Sequence, residues 1–568
     1  MRKTKVVLAK VLTAAMVISS FAGVQGITSE AAAKPKLSKK SVSITVGKTK
    51  KITIKNAKKY KVSWKMKSKK VASFKKSGKY AVKVTAKKAG KTTLTAKIKK
   101  GKKTKKLVCK ITVKKNSPKA TKTPVNTPTT SPSNVPKTTE VPIVKPTATA
   151  TAEPQDTTPA MKEIFKGVID NVGTCLTYNQ TWGNHPREMQ DVSTMEFVDK
   201  HFNSFTLENE MKPDNMLNKK TTISVADAKA KGYVISDDYK ESTVPELTLE
   251  TIDGVLAIAK QHNIRMRAHT LMWHQQTPTW FFKKNYDDNE AVVDEATMNA
   301  RLEFFVRTVM RYTMQKEKEL TGEVGSIVYA WDVLNEYIHR SNAAAATTWV
   351  SVYGDMGLKP TYVKAAFEYA YDELKKENVQ DKVTLFYNDY DTYFSVDDEL
   401  ALISYINEGE EAKICGGIGM QSHVDIKRPT LEEYGNALKA FINAGLEVQI
   451  TELDITINFD TDDTDGRTPS YGYKNEKETD ADQAAFTKDF IKQIVDIQKN
   501  RDKTISPKGI TGITVWGISD QTSWRGSCKP LFFTRKNVRV KDETTGKYKT
   551  VYSYVPKKSY EAMIEALK

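Results

Sequence analysis

Cysteine is scarce: Cys109, Cys175, Cys415 and Cys528 are the only four in 568 residues, and they lie far apart. No disulfide framework or metal-ligand spacing follows from them, and they are expected to be buried or incidental. Histidine is also rare, at seven, and no His-x-x-x-His pair with an acidic third ligand occurs, so no zinc centre is expected. A Gly-rich phosphate loop and a Gly-x-Ser-x-Gly elbow are both missing, which argues against phosphoryl transfer and serine-hydrolase chemistry. The acidic tract at residues 460–466 is out of step with EF-hand spacing, and Gly472 stands where the closing Glu belongs. Neither a metal nor a cofactor is therefore expected.

Long apolar runs are missing too. Residues 11–23 form a short apolar core behind Arg2, Lys3 and Lys5 and ahead of the small residues Ala31, Ala32 and Ala33. This is the pattern of a secretory signal over residues 1–33, too short for a comfortable membrane span, although an uncleaved anchor is the alternative. Export, with no transmembrane anchor after signal removal, is the expectation.

Acids are absent from residues 34–115, which hold 32 lysines and no arginine, a charge of +32; residues 1–33 carry +3. The overall +23 thus leaves −12 for residues 116–568. A basic module is joined to an acidic body. Alternating apolar and polar residues at 42–46, 51–55, 80–85, 92–97 and 107–113, with Gly/Lys turns between, predict a small β-sandwich. The run LSKKSVSITVGKTKKITI, with KVTAKKAGKTTLTAKI and CKITV after it, resembles the bacterial Ig-like group 2 domain. That resemblance implies a surface or spacer module. Its lysines fit anionic cell wall or acidic polysaccharide better than nucleic acid, which an exported protein is not expected to meet; a merely solubilising surface is the alternative. Residues 116–158 are rich in Thr, Pro and Ser and form a linker that cannot bury a core.

From residue 159 to 568, short apolar runs alternate with helical patterns. Candidate strands fall at 172–177, 202–207, 264–270, 327–334, 383–388, 416–421, 447–451 and 510–517. Amphipathic stretches such as 251–262, 300–318, 362–377, 431–444 and 482–499 lie between them. Eight β/α alternations predict an α/β fold, a (β/α)8 TIM barrel, with surplus loops near 456–480 and 524–554. Active sites of such barrels form at the C-terminal strand ends. Those ends collect Glu208, Asn209 and Lys212; His269, Trp273, His274 and Gln276; Asn335 and Glu336; Asn388 and Asp389; Gln421 and His423; Glu452 and Asp454; and Trp516, Asp520 and Trp524. A structural barrel needs no such rim. Two glutamates, at the ends of strands four and seven, suit glycoside hydrolysis, which uses one carboxylic acid and one carboxylate.

The segments FNSFTLENEMKPD, RAHTLMWHQQTPTW, WDVLNE, LFYNDYD, GIGMQSH, VQITELDI and WGISDQTSWR follow one another in order. They resemble the successive motifs of glycoside hydrolase family 10, the endo-1,4-β-xylanases, over residues 161–568. The resemblance implies a secreted retaining enzyme acting on xylan and xylooligosaccharides, with Glu336 as acid/base and Glu452 as nucleophile. Asn335 would hold the sugar 2-hydroxyl, and His423 and Asp454 would tune the nucleophile. Glu208, Asn209, Lys212 and Gln276 would form the floor for non-reducing-side sugars, with Gln421 also at the site, His269 and Trp273 as a wall, and Trp516 and Trp524 as stacking platforms. Asp391 after NDY and Phe533 in PLFFT depart from the family pattern. A barrel glycosidase acting on β-glucan or mannan, and a non-catalytic polysaccharide-binding surface protein, are the alternatives.

Overall fold

The computed structural model describes residues 35–114 and 158–568, except 40, 47, 56, 58, 59, 101, 102, 180–186, 341, 459–477 and 542–545. The expected signal, nearly all of the linker and the acidic tract at 460–466 lie outside the described residues. Two compact units, Met1–Pro146 and Thr147–Lys568, make up the chain.

The described residues of the first unit are all-β, in two four-stranded sheets. One contains Lys36–Leu37, Thr49–Lys55, Ala81–Ala86 and Ala72–Lys76; the other contains Ser41–Thr45, Lys103–Lys114, Gly90–Lys100 and Lys61–Met66. Period-two alternation explains the packing. Val82 and Val84 point inward while Lys83 between them is exposed. Ile52, Val82 and Val84 from one sheet meet Leu94, Cys109 and Ile111 from the other in one core.

The second unit is a closed barrel of eight parallel strands: Asn171–Leu176, Ser204–Leu207, Arg265–Trp273, Val328–Asn335, Thr384–Asp389, Gly417–Met420, Glu447–Thr456 and Ile510–Val515. The eighth strand pairs with the first, which closes the ring. All eight residues of the fourth strand are buried, as expected where helices cover the outside and side chains fill the inside. Each strand leads into a helix, among them Glu250–His262, Glu295–Thr321, Thr361–Lys376 and Leu431–Asn443. Thr430 and Glu433 form a capping box at the start of Leu431–Asn443, satisfying amides the helix leaves open.

A buried charge lies inside the barrel. The Arg267 guanidinium is ion-paired with Asp332, donates to Gln449 Oε1 at 3.0 Å and sits 4.3 Å from the Phe386 ring centre. Gly419 makes room for it: a Cβ there would lie 2.3 Å from Asn388 Oδ1 and 2.8 Å from Arg267 Nη2.

Candidate active site

Two barrel strands run further than the sequence pattern indicates. The third continues to Trp273 and the seventh to Thr456, so Trp273, Glu452 and Asp454 stand within strands rather than in the loops after them. The reason is a set of register shifts, between His269 and Met272, Asp332 and Leu334, and Ile450 and Leu453. Such irregularities break simple alternation and re-aim side chains while the strand goes on.

Glu336 follows the fourth strand with a left-handed backbone, φ 57°. Its Oε2 accepts from Trp273 Nε1 at 2.7 Å and Gln275 Nε2 at 3.2 Å, and its Oε1 from Gln421 Nε2 at 3.1 Å. Burial, then the charges of Asp389 and Glu452, push its carboxyl up to about 7 against the pull of these donors.

Glu452 is buried as well but sits in the opposite field. Its Oε1 accepts from Asn388 Nδ2 at 2.9 Å, and its Oε2 is 3.2 Å from His423 Nε2. Burial raises the carboxyl, but the His423 hydrogen bond and the positive charges of His269, His423 and Lys212 outweigh it and bring it down to about 2. His423 Nδ1 pairs with Asp454 Oδ2 at 2.8 Å. Although burial alone would lower the imidazole, Asp454 and Glu452 lift it to about 9. Asp454 also accepts from Trp524 Nε1 at 3.1 Å and from Arg525 Nη1 at 3.1 Å.

Asn335 joins the two glutamates. Its Oδ1 accepts from Asn388 Nδ2 at 2.9 Å and from Gln421 Nε2 at 3.2 Å, the same two amides that reach Glu452 and Glu336. On the far wall, His269 Nδ1 pairs with Asp332 at 2.9 Å, and the His269 ring is 5.9 Å from that of Trp516. Trp516 stands 6.3 Å from the His423 ring, and Trp524 stands 4.9 Å from it with 40% of its surface exposed. Lys212 Nζ lies 4.8 Å from the Trp273 ring centre and 3.4 Å from Asn209 Oδ1. Glu208 is held up at about 7 by burial, against the charge of Lys212.

The geometry thus gathers Glu336, Glu452, Asn335, Gln421, His423, Asp454, His269, Trp273, Trp516 and Trp524 in one contact network, with Lys212 and Asn209 beside it. Gln276 lies against the segment that follows Lys212. The neighbouring side chain, Gln275, reaches Glu336, whereas the Gln276 backbone carbonyl accepts from the Asp214 amide at 2.7 Å. Residues that strand-end reading left without a role also enter the network: Asn388, Arg525, Asp332, and Asp389, whose charge acts on Glu336.

Among the described residues, His339, Asp389 and Glu399 bring three potential metal-ligand atoms within 4.8 Å of one another. Asp389 already takes Ile338 N at 3.2 Å, Tyr390 N at 2.8 Å, His339 Nδ1 at 3.1 Å and the Tyr387 hydroxyl. Those donors fill its lone pairs, so the cluster acts as a hydrogen-bonded support behind Glu336.

A closed (β/α)8 barrel with two glutamates shifted in opposite directions in one network at the C-terminal strand ends defines a glycoside hydrolase. The sequence pattern of Glycosyl hydrolase family 10 matches residues 160–551. The chain belongs to this family. It is 40% identical over 356 residues to endo-1,4-β-xylanase A of Butyrivibrio fibrisolvens, covering 62% of this chain and 77% of that protein. To endo-1,4-β-xylanase B of the same organism it is 32% identical over 346 residues, 59% of this chain and 46% of that protein. In structure it is similar to the CBM22-1–GH10 modules of Clostridium thermocellum endo-1,4-β-D-xylanase 10B, solved with xylohexaose. There the TM-score is 0.50 at 27% identity, covering 72% of this chain and 68% of the other.

Proposed function

We propose that Glu452 attacks the anomeric carbon of a xylosyl unit while Glu336 protonates the departing glycosidic oxygen, in an endo-1,4-β-xylanase that works by double displacement. The observation that carries this reading is a pair of buried glutamates joined through the Asn335, Asn388 and Gln421 amides and set in opposite fields, Glu336 held up to about 7 and Glu452 down at about 2. Near pH 5 one has a proton to give and the other a charge to attack with. Once the glycosyl ester has formed, Glu336 is left as a carboxylate and takes the proton of the incoming water.

The surrounding residues follow from that chemistry. His423, itself held by Asp454, fixes one Glu452 oxygen, and Asn388 fixes the other. Asn335 is placed between them for the sugar 2-hydroxyl. Glu208, Asn209 and Lys212 form the floor for the sugar on the non-reducing side, and Trp516 and Trp524 face pyranose rings. The floor set Glu208, Asn209 and Lys212 with Trp516, whose ring centre lies 5.9 Å from Lys212 Nζ, favours a sugar without a C6 hydroxymethyl group. The basic first unit serves attachment to anionic cell wall or acidic polysaccharide outside the cell.

Reducing-sugar release from xylan, β-glucan and mannan tests the substrate. Release from xylan well above the other two is expected, and equal rates on all three remove the assignment. Time-resolved NMR of xylooligosaccharide cleavage tests the mechanism, with β-anomer expected first.

A further inference from the structure

The basic unit carries charge of one sign. Residues 34–115 hold 32 lysines, no arginine and no acid, and the nearest acids along the chain are Glu30 and Glu140. Self-repulsion on this scale works against a compact fold. Strand register shows where the charge is concentrated. In the sheet that contains Thr49–Lys55, Ala81–Ala86 and Ala72–Lys76, Lys51 stands opposite Lys83, and Lys83 stands opposite Lys75. Directly opposite residues share a face, with Cβ atoms about 4.5–5.5 Å apart, and like charges so placed repel. All three lysines are exposed, while Val82 and Val84 on either side of Lys83 are buried in the core. Protection of a sheet edge explains a lysine on the outer strand Ala72–Lys76. It does not explain Lys83, whose strand is paired on both sides.

Two residues along the same strands, on the same face, Thr49 stands opposite Thr85 and Thr85 opposite Ser73. A rise of about 3.4 Å per residue puts this row of hydroxyls roughly 7 Å from the row of ammoniums. Three cations and three hydroxyls therefore occupy neighbouring rungs of one face. Neither rung holds an aromatic ring. The four aromatics of residues 34–115 are Tyr60, Trp64, Phe74 and Tyr80, and all of them pack against the apolar clusters of the unit.

We propose that this face, through the rung of Lys51, Lys83 and Lys75 and the rung of Thr49, Thr85 and Ser73, docks a phosphodiester-linked polymer of a bacterial cell wall, so that the unit ties the enzyme to a cell surface and not to its substrate. The chemistry of the rungs selects phosphate. A planar carboxylate is matched by the paired N–H groups of arginine, which residues 34–115 lack. A tetrahedral phosphate turns oxygens to every side, where the point charge of a lysine and the O–H of a threonine both reach it. Sugar faces and nucleic-acid bases are held by stacking on aromatic rings, and here the rings are taken up by the core. Repulsion between opposed lysines falls when an anion lies between them, so a phosphate at the rung relieves what the register imposes.

This inference rests on the attachment reading of the basic unit, and the test separates the two. The full-length protein and its variants are titrated with poly(glycerol phosphate), polygalacturonate and single-stranded DNA, at matched anion concentration, over a range of salt. One variant combines Lys51→Gln, Lys75→Gln and Lys83→Gln; a control combines Lys67→Gln, Lys69→Gln and Lys70→Gln, which removes the same charge from exposed positions after the strand Lys61–Met66. The parent should bind the phosphate polymer about 10-fold tighter than the uronate polymer in low salt. Loss of the lysine rung should weaken phosphate binding about 10- to 30-fold and lower the slope of log affinity against log salt by about two, as three lost phosphate contacts require. The control should lose no more than about 3-fold. Thr85→Val, which leaves the charge unchanged, should weaken phosphate binding about 3-fold. Equal losses in the two triple variants, or tighter binding of polygalacturonate or DNA than of poly(glycerol phosphate), overturn the proposal and leave a diffuse basic surface. A parent that binds none of the three polymers in low salt overturns the attachment reading itself.

Discussion

The indole N–H of Trp273 donates to Glu336 Oε2 at 2.7 Å. Such a donor favours the ionised carboxyl, yet burial and the charges of Asp389 and Glu452 prevail and keep Glu336 protonated to about pH 7. The acid's proton is thus set by a balance in which Trp273 opposes the result, and that balance has measurable consequences.

The first concerns pH. Glu336 must be protonated to act as acid, so kcat/KM should fall as pH rises through about 7; Glu452 must be charged, so activity should fall only as pH drops toward about 2. Trp273→Phe removes the donor that stabilises the carboxylate and should move the alkaline limb upward. A limb that shifts downward in this variant contradicts the balance described here.

The second separates the glutamates by role. Glu452→Ala should be inactive on xylan and on activated aryl xylobiosides alike, because no leaving group replaces a nucleophile. Glu336→Ala should lose about 10²- to 10⁴-fold on xylan but show a burst with an activated aryl glycoside, then stall. Azide should restore its turnover and give a β-glycosyl azide. A β-azide product from Glu452→Ala would require the roles to be exchanged.

The third concerns the buried charges behind the nucleophile. Asp454 is fully buried and holds His423, Trp524 and Arg525 together. Asp454→Ala strands two buried cations and should cost about 3–5 kcal/mol by denaturant unfolding. The raised imidazole of His423, at about 9, gives a sign for pH as well. Its contribution is fully present below the unfolded value of about 6.5 and is lost as pH rises through about 9. Stability of the parent should therefore decline over that window, and His423→Gln should flatten the decline.

The fourth concerns the basic unit. With 32 lysines and no acid in residues 34–115, retention of the protein on anionic cell wall or acidic xylan should be strong in low salt and largely abolished at half-molar salt. Sedimentation of the full chain with each polymer measures this, and salt-independent retention counts against an electrostatic attachment. Hydrolysis of soluble linear xylan should be nearly unaffected by deleting residues 34–115.

The eightfold β/α alternation, the all-β character of the basic unit and the strand ends that carry Glu336 and Glu452 were legible in the amino-acid pattern. These rest on local physics: periodicity of apolar residues, turn chemistry, and the cost of placing a carboxylate at the end of a buried strand without purpose. Which neighbours act on those carboxylates depended on how the barrel closes. Strand-end reading stopped the third and seventh strands at 270 and 451, because the register shifts beyond His269 and Ile450 break the alternation it relies on. Strand direction and loop path also bring the Gln275 side chain to Glu336, which no local pattern indicates. Asn388 and Asp389 stand at a strand end, but they and Arg525 lie 50 or more residues from the glutamates they serve, and no local pattern says which carboxylate each one meets. Two carboxyls of the same chemical type become an acid near 7 and a nucleophile near 2 because barrel closure gives one a carboxylate neighbour and the other an imidazolium. That difference is a property of distances between strands, and it exists only once the strands have closed.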